Sequence, residues 1–243
     1  MPDGILPVWL WAAGYVVVAL LIAVLWRGGG ATAEPRRFAL LGVFSAMMIV
    51  VMNVEILPFH FNLSVMTGIV LGPQFAVPAA LIVNLILALM GHGGLTVAGL
   101  NSLVLSTEMV VGYSVFRLLA RAGRPTALTA FAATVVGLAA GTAASFGIIA
   151  AGTPWVNRTL QTARMSPRQQ GEVAEALRGA ASGGHLDLAR LALLMLGLGL
   201  IGWLLEGVLS SAVLVYLKKA FPDLFGGERK APDTSADAGP AGA

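Results

Sequence analysis

The stretch FHFNLSVMTGIVLGP, residues 59–73, decides how this chain is read. It sets His60, Asn62, Ser64 and Thr67 at the mouth of an apolar segment that closes on Gly72-Pro73, a pair that stops one helix and can start another. The apolar part, 61–72, would cover only about 18 Å as a helix, short of a hydrocarbon core of roughly 30 Å. Such a segment is expected as a partial or tilted helix, shielded from lipid by the protein around it.

The rest of the chain fits that expectation. Its 243 residues are 57% hydrophobic and 11% charged, with a mean hydropathy of +0.84. A soluble domain carries about 25% charged residues, and no single core of this size hides so much apolar surface. The isoelectric point of 9.7 invites a nucleic-acid reading. The net charge is only +3, however, and the basic residues sit in short turns between apolar runs, which is a topology signal. No nucleic-acid partner is expected. The absence of cysteine excludes disulfides and thiolate metal sites. Leu6–Trp26 is long enough to span, and no small-residue cleavage site marks it as a removable signal peptide.

Seven apolar segments follow one another, at 6–26, 38–54, 61–72, 75–91, 97–119, 127–151 and 190–217. The fold class is therefore all-α: a polytopic membrane helix bundle of about seven transmembrane helices, occupying 1–225. Arg27, Arg36, Arg37, Arg117, Arg121, Arg124, Lys218, Lys219, Arg229 and Lys230 all fall on one side of it. Positive residues mark the cytoplasmic side, so the N-terminus is expected outside and the C-terminus inside. Arg158, Arg164, Arg168, Arg178 and Arg190 lie in or beside the one long outer connection, 152–189. Within it, 157–189 is the soluble insertion. Ser166 as N-cap and Pro167 at the first helical position there predict a short surface helix. The tail 226–243, rich in Gly, Ala, Pro, Asp and Ser, is expected to be disordered and cytoplasmic.

Polar groups at membrane depth are costly, so each is a candidate for function. In the N-out arrangement His60 and His92 share the outer face, with Asn62 and Asn101 close by, Glu108 and Glu206 deeper, and Asn84 in the fourth segment. Two imidazoles at the outer mouth suit a transition metal such as Ni, Co, Cu or Zn better than a hard cation. The plainer readings are that His60 caps a helix, that His92 is solvated in a Gly-rich turn, and that Asn62, Asn84 and Asn101 are interhelical hydrogen-bond glue. Glu108 has a plain reading as partner to a hydroxyl or backbone group, and the Gly and Ser neighbours of Glu206 suggest close helix packing. Ala39, Gly42, Ser45 and Ala46 lie near one helix face. They serve either internal packing or, for Ala39, Gly42 and Ala46 in the sharper reading, the docking of a partner subunit.

Four stretches in order, PDGILPVWLW at 2–11, His60 twelve residues ahead of Gly72-Pro73, GHGGLTVAGLN at 91–101 and EGVLSSAVLVYLKKAFPDL at 206–224, together resemble the CbiM/NikM family. These are substrate-binding membrane subunits (S components) of energy-coupling factor transporters for cobalt and nickel. The resemblance implies seven helices to about residue 225, and Co²⁺ or Ni²⁺ as transported substrate without an organic cofactor. It also implies a transmembrane coupling subunit, two cytoplasmic ATPase subunits and a small accessory membrane subunit as partners, in the plasma or inner membrane, with cobalamin biosynthesis downstream. The chain has no GxxxxGK[ST] phosphate loop of its own, so ATP hydrolysis is left to the partners and no enzyme activity is expected. In the family the terminal amine and a second-position His bind metal together with a His ahead of the Gly-Pro turn, which matches His60. The family position matching His92 is often acidic, so His92 as a ligand is an inference from the residue itself. Asp3, Asn62 and Asn101 are expected to support the ligands. The family opens Met-His-Ile-Pro-Asp-Gly, whereas this chain opens Met1-Pro2-Asp3-Gly4. Pro2 has no amide proton to lose and cannot replace the missing His. The expectation is a natural start two residues upstream, at Met-His.

Other readings fit less well. A retinal protein needs a lysine inside the last helix, and Lys218, Lys219 and Lys230 lie at or past its end. An intramembrane metalloprotease needs an HExxH helix, and His60, His92 and His185 are far apart. A subunit of the same architecture for a vitamin-type ligand needs an aromatic-lined pocket, and aromatics are 7% of the chain. A membrane assembly subunit with a degraded metal site is the remaining alternative. The reading carried forward is metal capture at the outer face by nitrogen ligands, His60 first, with His92 and the N-terminus (Met1 in this chain) as the next candidates.

Overall fold

A computed structural model describes residues 1, 3, 6–27, 35–56, 59–162, 181–182 and 185–225. In lipid every backbone group has to be satisfied within its own segment, so the apolar runs become helices. They are α1 (Val8–Arg27), α2 (Pro35–Met52), α3 (Ser64–Leu71), α4 (Pro73–Leu89), α5 (Ala98–Arg121), α6 (Thr126–Thr162) and α7 (Leu188–Ala220), followed by a short 3-10 turn at Pro222–Phe225. Five are long and apolar enough to cross a membrane. Large apolar side chains cover their outer faces, such as Val16, Leu20 and Val24 on α1 and Leu193, Leu196 and Leu200 on α7, as a lipid-facing surface requires.

The short third segment is where the sequence pointed to shielding, and α3 is buried along seven of its eight residues. Gly68 has no room for a side chain: a Cβ there would stand 2.7 Å from the Met109 carbonyl oxygen of α5. Gly72, at φ +75°, closes α3, and Pro73 opens α4. Met48 of α2, Met66 of α3, Phe75 and Val83 of α4 and Met109 of α5 pack into one core around this pair.

Two differences from expectation follow from local chemistry. The connection 55–60 is an antiparallel pair of two-residue strands, β1 (Glu55–Ile56) and β2 (Phe59–His60), with Glu55 opposite His60. Helix α3 therefore starts only at Ser64, with Leu63 and not His60 at its N-cap position. Helix α6 does not stop at 151. It runs to Thr162 through Pro154, which costs one backbone hydrogen bond but does not end so long a helix. A second two-residue pair, Ala181–Ser182 with His185–Leu186, precedes α7. Asp187 then caps α7, accepting from the Ala189 and Arg190 N–H groups at 3.0 and 3.2 Å. The expected surface helix after Ser166 and the tail 226–243 lie outside the described residues.

The helices alternate in direction, so the molecule has two distinct ends. Trp26 of α1 meets Phe38 of α2 at the end that carries Arg27, Arg36 and Arg37. Arg117 and Arg121 close α5 there, and Lys218 and Lys219 close α7. The other end gathers Met1, the β1–β2 pair and the 91–96 turn.

Candidate functional site

The N-terminal residues are bound into the bundle, and the GHGGLT turn is built to receive them. The Met1 amine donates to Asn101 Oδ1 at 3.0 Å, and Asn101 Nδ2 donates back to the Met1 carbonyl at 3.3 Å. The Gly94 N–H donates to the same carbonyl at 3.2 Å. The Asp3 carboxylate accepts from the Leu95 and Thr96 N–H groups at 3.0 and 2.9 Å and from the Thr96 hydroxyl. The Tyr15 hydroxyl of α1 donates to the Leu95 carbonyl. Gly91 and Gly93 hold φ of +88° and +82°, where L side chains are strained. At Gly94 a Cβ would fall 2.1 Å from Asp3 Oδ1. Burial holds the Met1 amine below its ordinary pKa of 8.0, against the opposing pull of Asp3. The amine is thus shifted toward the neutral form that offers a lone pair.

A second cluster lies where the chain past β2 enters the bundle. Leu63, at φ 51° and ψ 23°, turns the chain into α3. Its N–H donates to Glu206 Oε1 at 2.9 Å, and the Asn62 N–H to Glu206 Oε2 at 3.4 Å. Asn62 Nδ2 and the Ser64 hydroxyl both donate to Glu108 Oε2, at 3.0 and 2.7 Å, while Asn62 Oδ1 accepts from the Ser64 N–H at 2.8 Å. Glu108 and Glu206 are 8% and 3% exposed. Glu206 thus accepts from the two N–H groups just ahead of α3, and Glu108 from the Asn62 amide and the Ser64 hydroxyl, so these buried donors have partners. Glu108 is itself pressed on α6, where a Cβ at Gly141 would stand 2.2 Å from its Cγ.

The two clusters share α5. Asn101 and Glu108 are seven residues apart, so they lie on one face, about 10 Å apart along the axis. The main chain at His60 stands two residues ahead of Asn62; its side chain lies outside the described residues. His92 is exposed on the turn that holds Met1, and its N–H is bonded to the Leu87 carbonyl at 2.9 Å. Among the described residues no three His, Cys, Asp or Glu side chains converge into a metal-holding group. Asn62 and Asn101 do bridge separate elements. Asn84 does not: its amide bonds the Ala80 carbonyl of its own helix at 2.8 Å, so it is not interhelical glue. Glu206 lies in close packing, as expected, with Gly207 against Phe131 and the Ser211 hydroxyl bonded to the Ala127 carbonyl at 3.0 Å. Ala39, Gly42 and Ala46 are exposed, and nothing lies within 4 Å of a Cβ at Gly42. Internal packing is therefore not their use, whereas Ser45 on the same helix is buried.

Sequence reasoning did not reach the pairing of both glutamates with 62–64, nor the hold of Asp3 on residues 95–96. Partners 44 to 144 positions apart leave no local pattern.

The family described as "Cobalt uptake substrate-specific transmembrane region", CbiM, matches residues 1–224. A comparison with curated proteins finds no match. Among solved structures, a truncated transition metal transporter is similar with a TM-score of 0.70 at 18% identity, covering 90% of this chain and 98% of the other. A second transition metal transporter gives 0.69 at 19% identity, covering 90% and 92%. At these identities the likeness is one of fold.

Proposed function

This chain belongs to the CbiM family of cobalt-uptake transmembrane regions, and from that premise we propose that it captures Co²⁺ or Ni²⁺ for an energy-coupling factor importer. It is a multi-pass membrane protein and a component of metal transport. The observation that carries the proposed site is the N-terminal arm seated on α5 and the 91–96 turn, with Met1 held by Asn101 and Asp3 by the Leu95 and Thr96 N–H groups. Burial favours the neutral form of the Met1 amine, and a neutral amine is a nitrogen donor of the same borderline class as imidazole. His60 supplies the second nitrogen and His92 a further one, from the same end of the molecule. Asn101 and Asp3 hold the N-terminal arm in register, and Asn62 holds the chain next to His60. Such outer contacts fix ligand geometry and affinity.

In this reading the end with Met1 and the 91–96 turn faces outward, and the end rich in Arg and Lys faces the cytoplasm. Inward release depends on a transmembrane coupling subunit and two ATPases, with a small accessory membrane subunit. The open face of Ala39, Gly42 and Ala46 on α2 suits close approach of a partner helix. The test is thermal stability of the purified protein with added metal. Co²⁺ or Ni²⁺ at 100 times its Kd stabilises by about 2.7 kcal/mol, whereas Mg²⁺ has no such effect. Stabilisation by an organic ligand alone, or by nothing, would overturn the proposal.

A further inference from the structure

The basic end holds a cavity of about 540 Å³ that metal capture at the opposite end does not use. Arg37 of α2, Arg117 and Arg121 of α5 and Lys218 of α7 line it together. Arg117 stacks over the Tyr113 ring at 5.7 Å, and Lys218 Nζ donates to Thr126 Oγ1 at 3.0 Å. Among the described residues no carboxylate lines the cavity, and none is paired with these four cations. Cations that serve only as interfacial anchors splay outward to water and headgroups. Here three helices bring four of them round one concavity, where they repel one another until an anion enters. Arg27, Arg36 and Lys219 sit at the same end and do not line it. Beside the charges the wall is apolar, formed by Ile69 and Phe116 among others. The site therefore offers cationic donors to a phosphate and apolar surface to what the phosphate carries. Guanidinium forks suit phosphate oxygens, and basic pockets between membrane helices recognise anionic headgroups.

We propose that this cavity binds the phosphate headgroup of an anionic phospholipid, seated among Arg37, Arg117, Arg121 and Lys218. The lipid would clamp α2, α5 and α7 round the end of α3. The test uses the full chain in neutral detergent with phosphatidylglycerol, phosphatidylcholine, inorganic phosphate or poly-glutamate added separately. Thermal stability and the lipid retained in native mass spectrometry are read for three forms. These are the unaltered protein, a cavity variant Arg117→Gln/Arg121→Gln/Lys218→Gln, and a control variant Arg27→Gln/Arg36→Gln/Lys219→Gln. The expected result is stabilisation and retention with phosphatidylglycerol in the unaltered and control forms, at least tenfold weaker in the cavity variant, and no response to phosphatidylcholine. An equal effect of inorganic phosphate would keep the phosphate site but overturn the lipid as its source. Equal loss in both variants would reduce the effect to diffuse charge and overturn the proposal. So would a response to poly-glutamate alone, which would give the cavity to an acidic protein segment. If the triple variant does not fold, Arg121→Gln alone serves, and retention of phosphatidylglycerol no better than phosphatidylcholine by the unaltered protein would sink the idea without any variant.

Discussion

The Met1 amine and Asn101 exchange two hydrogen bonds across 100 residues of sequence, and the proposed chemistry starts from that contact. Each such bond contributes about 1 kcal/mol net. Asn101→Ala should therefore weaken Co²⁺ binding by roughly tenfold or more, read by calorimetry, with the helices intact by circular dichroism. Protons compete with metal for the amine, so affinity rises with pH until the amine is neutral. Because burial lowers its pKa, that rise should level off below pH 8.0. The same shift has a stability sign. As pH falls through 8.0 the unfolded chain takes up this proton before the folded one, so the amine's contribution is greatest above 8.0 and declines toward the folded value. At the second cluster, Glu206→Ala leaves the Leu63 N–H without its acceptor, and Glu206→Gln keeps one. The alanine variant should lose about 1–3 kcal/mol more stability than the glutamine one in thermal unfolding. At this scale the sequence was partly legible. Asn62 and Asn101 stood out because amides are rare in apolar runs, whereas Asn84 looked the same and only bonds its own helix. The reach of Asp3 to Leu95 and Thr96 depends on how α1 docks on α5, which no spacing records.

Elements were legible where length and turn chemistry agree. Gly72-Pro73 marked the α3–α4 break, and the shortness of 61–72 foretold burial among other helices. The β1–β2 pair was not legible, because two-residue strands leave no alternation to read. The run of α6 past Pro154 was hidden because a proline and a drop in hydropathy look like a helix end. Helix α3 makes its own test of packing. Gly68→Ala forces a Cβ to within 2.7 Å of the Met109 carbonyl oxygen and should destabilise by about 1–3 kcal/mol. Gly42→Ala meets nothing within 4 Å and should be neutral or stabilising by up to about 1 kcal/mol in isolated protein. If both glycines tolerate alanine equally, the close approach of α3 to α5 is wrong.

For the whole molecule, seven apolar runs became seven helices among the described residues. The gathering of Arg27, Arg36, Arg37, Arg117, Arg121, Lys218 and Lys219 at one end was readable from the chain before any contact was known. The orientation of that end is a separate question, and the absence of native cysteine makes it easy to ask. A Leu95→Cys variant should react with a membrane-impermeant thiol reagent added outside cells, and a Lys219→Cys variant only after the membrane is opened. The reverse pattern would turn the molecule over and remove capture from the outer face.

The most direct test of the central claim is calorimetric titration of Co²⁺ and of Ni²⁺ into the purified protein and into its His60→Ala variant. The account predicts binding by the unaltered protein and its loss in the variant, with thermal stability of the metal-free forms unchanged. Equal binding by both would contradict it, because the nitrogen ahead of FNLSVMTG would then have no part in holding the metal.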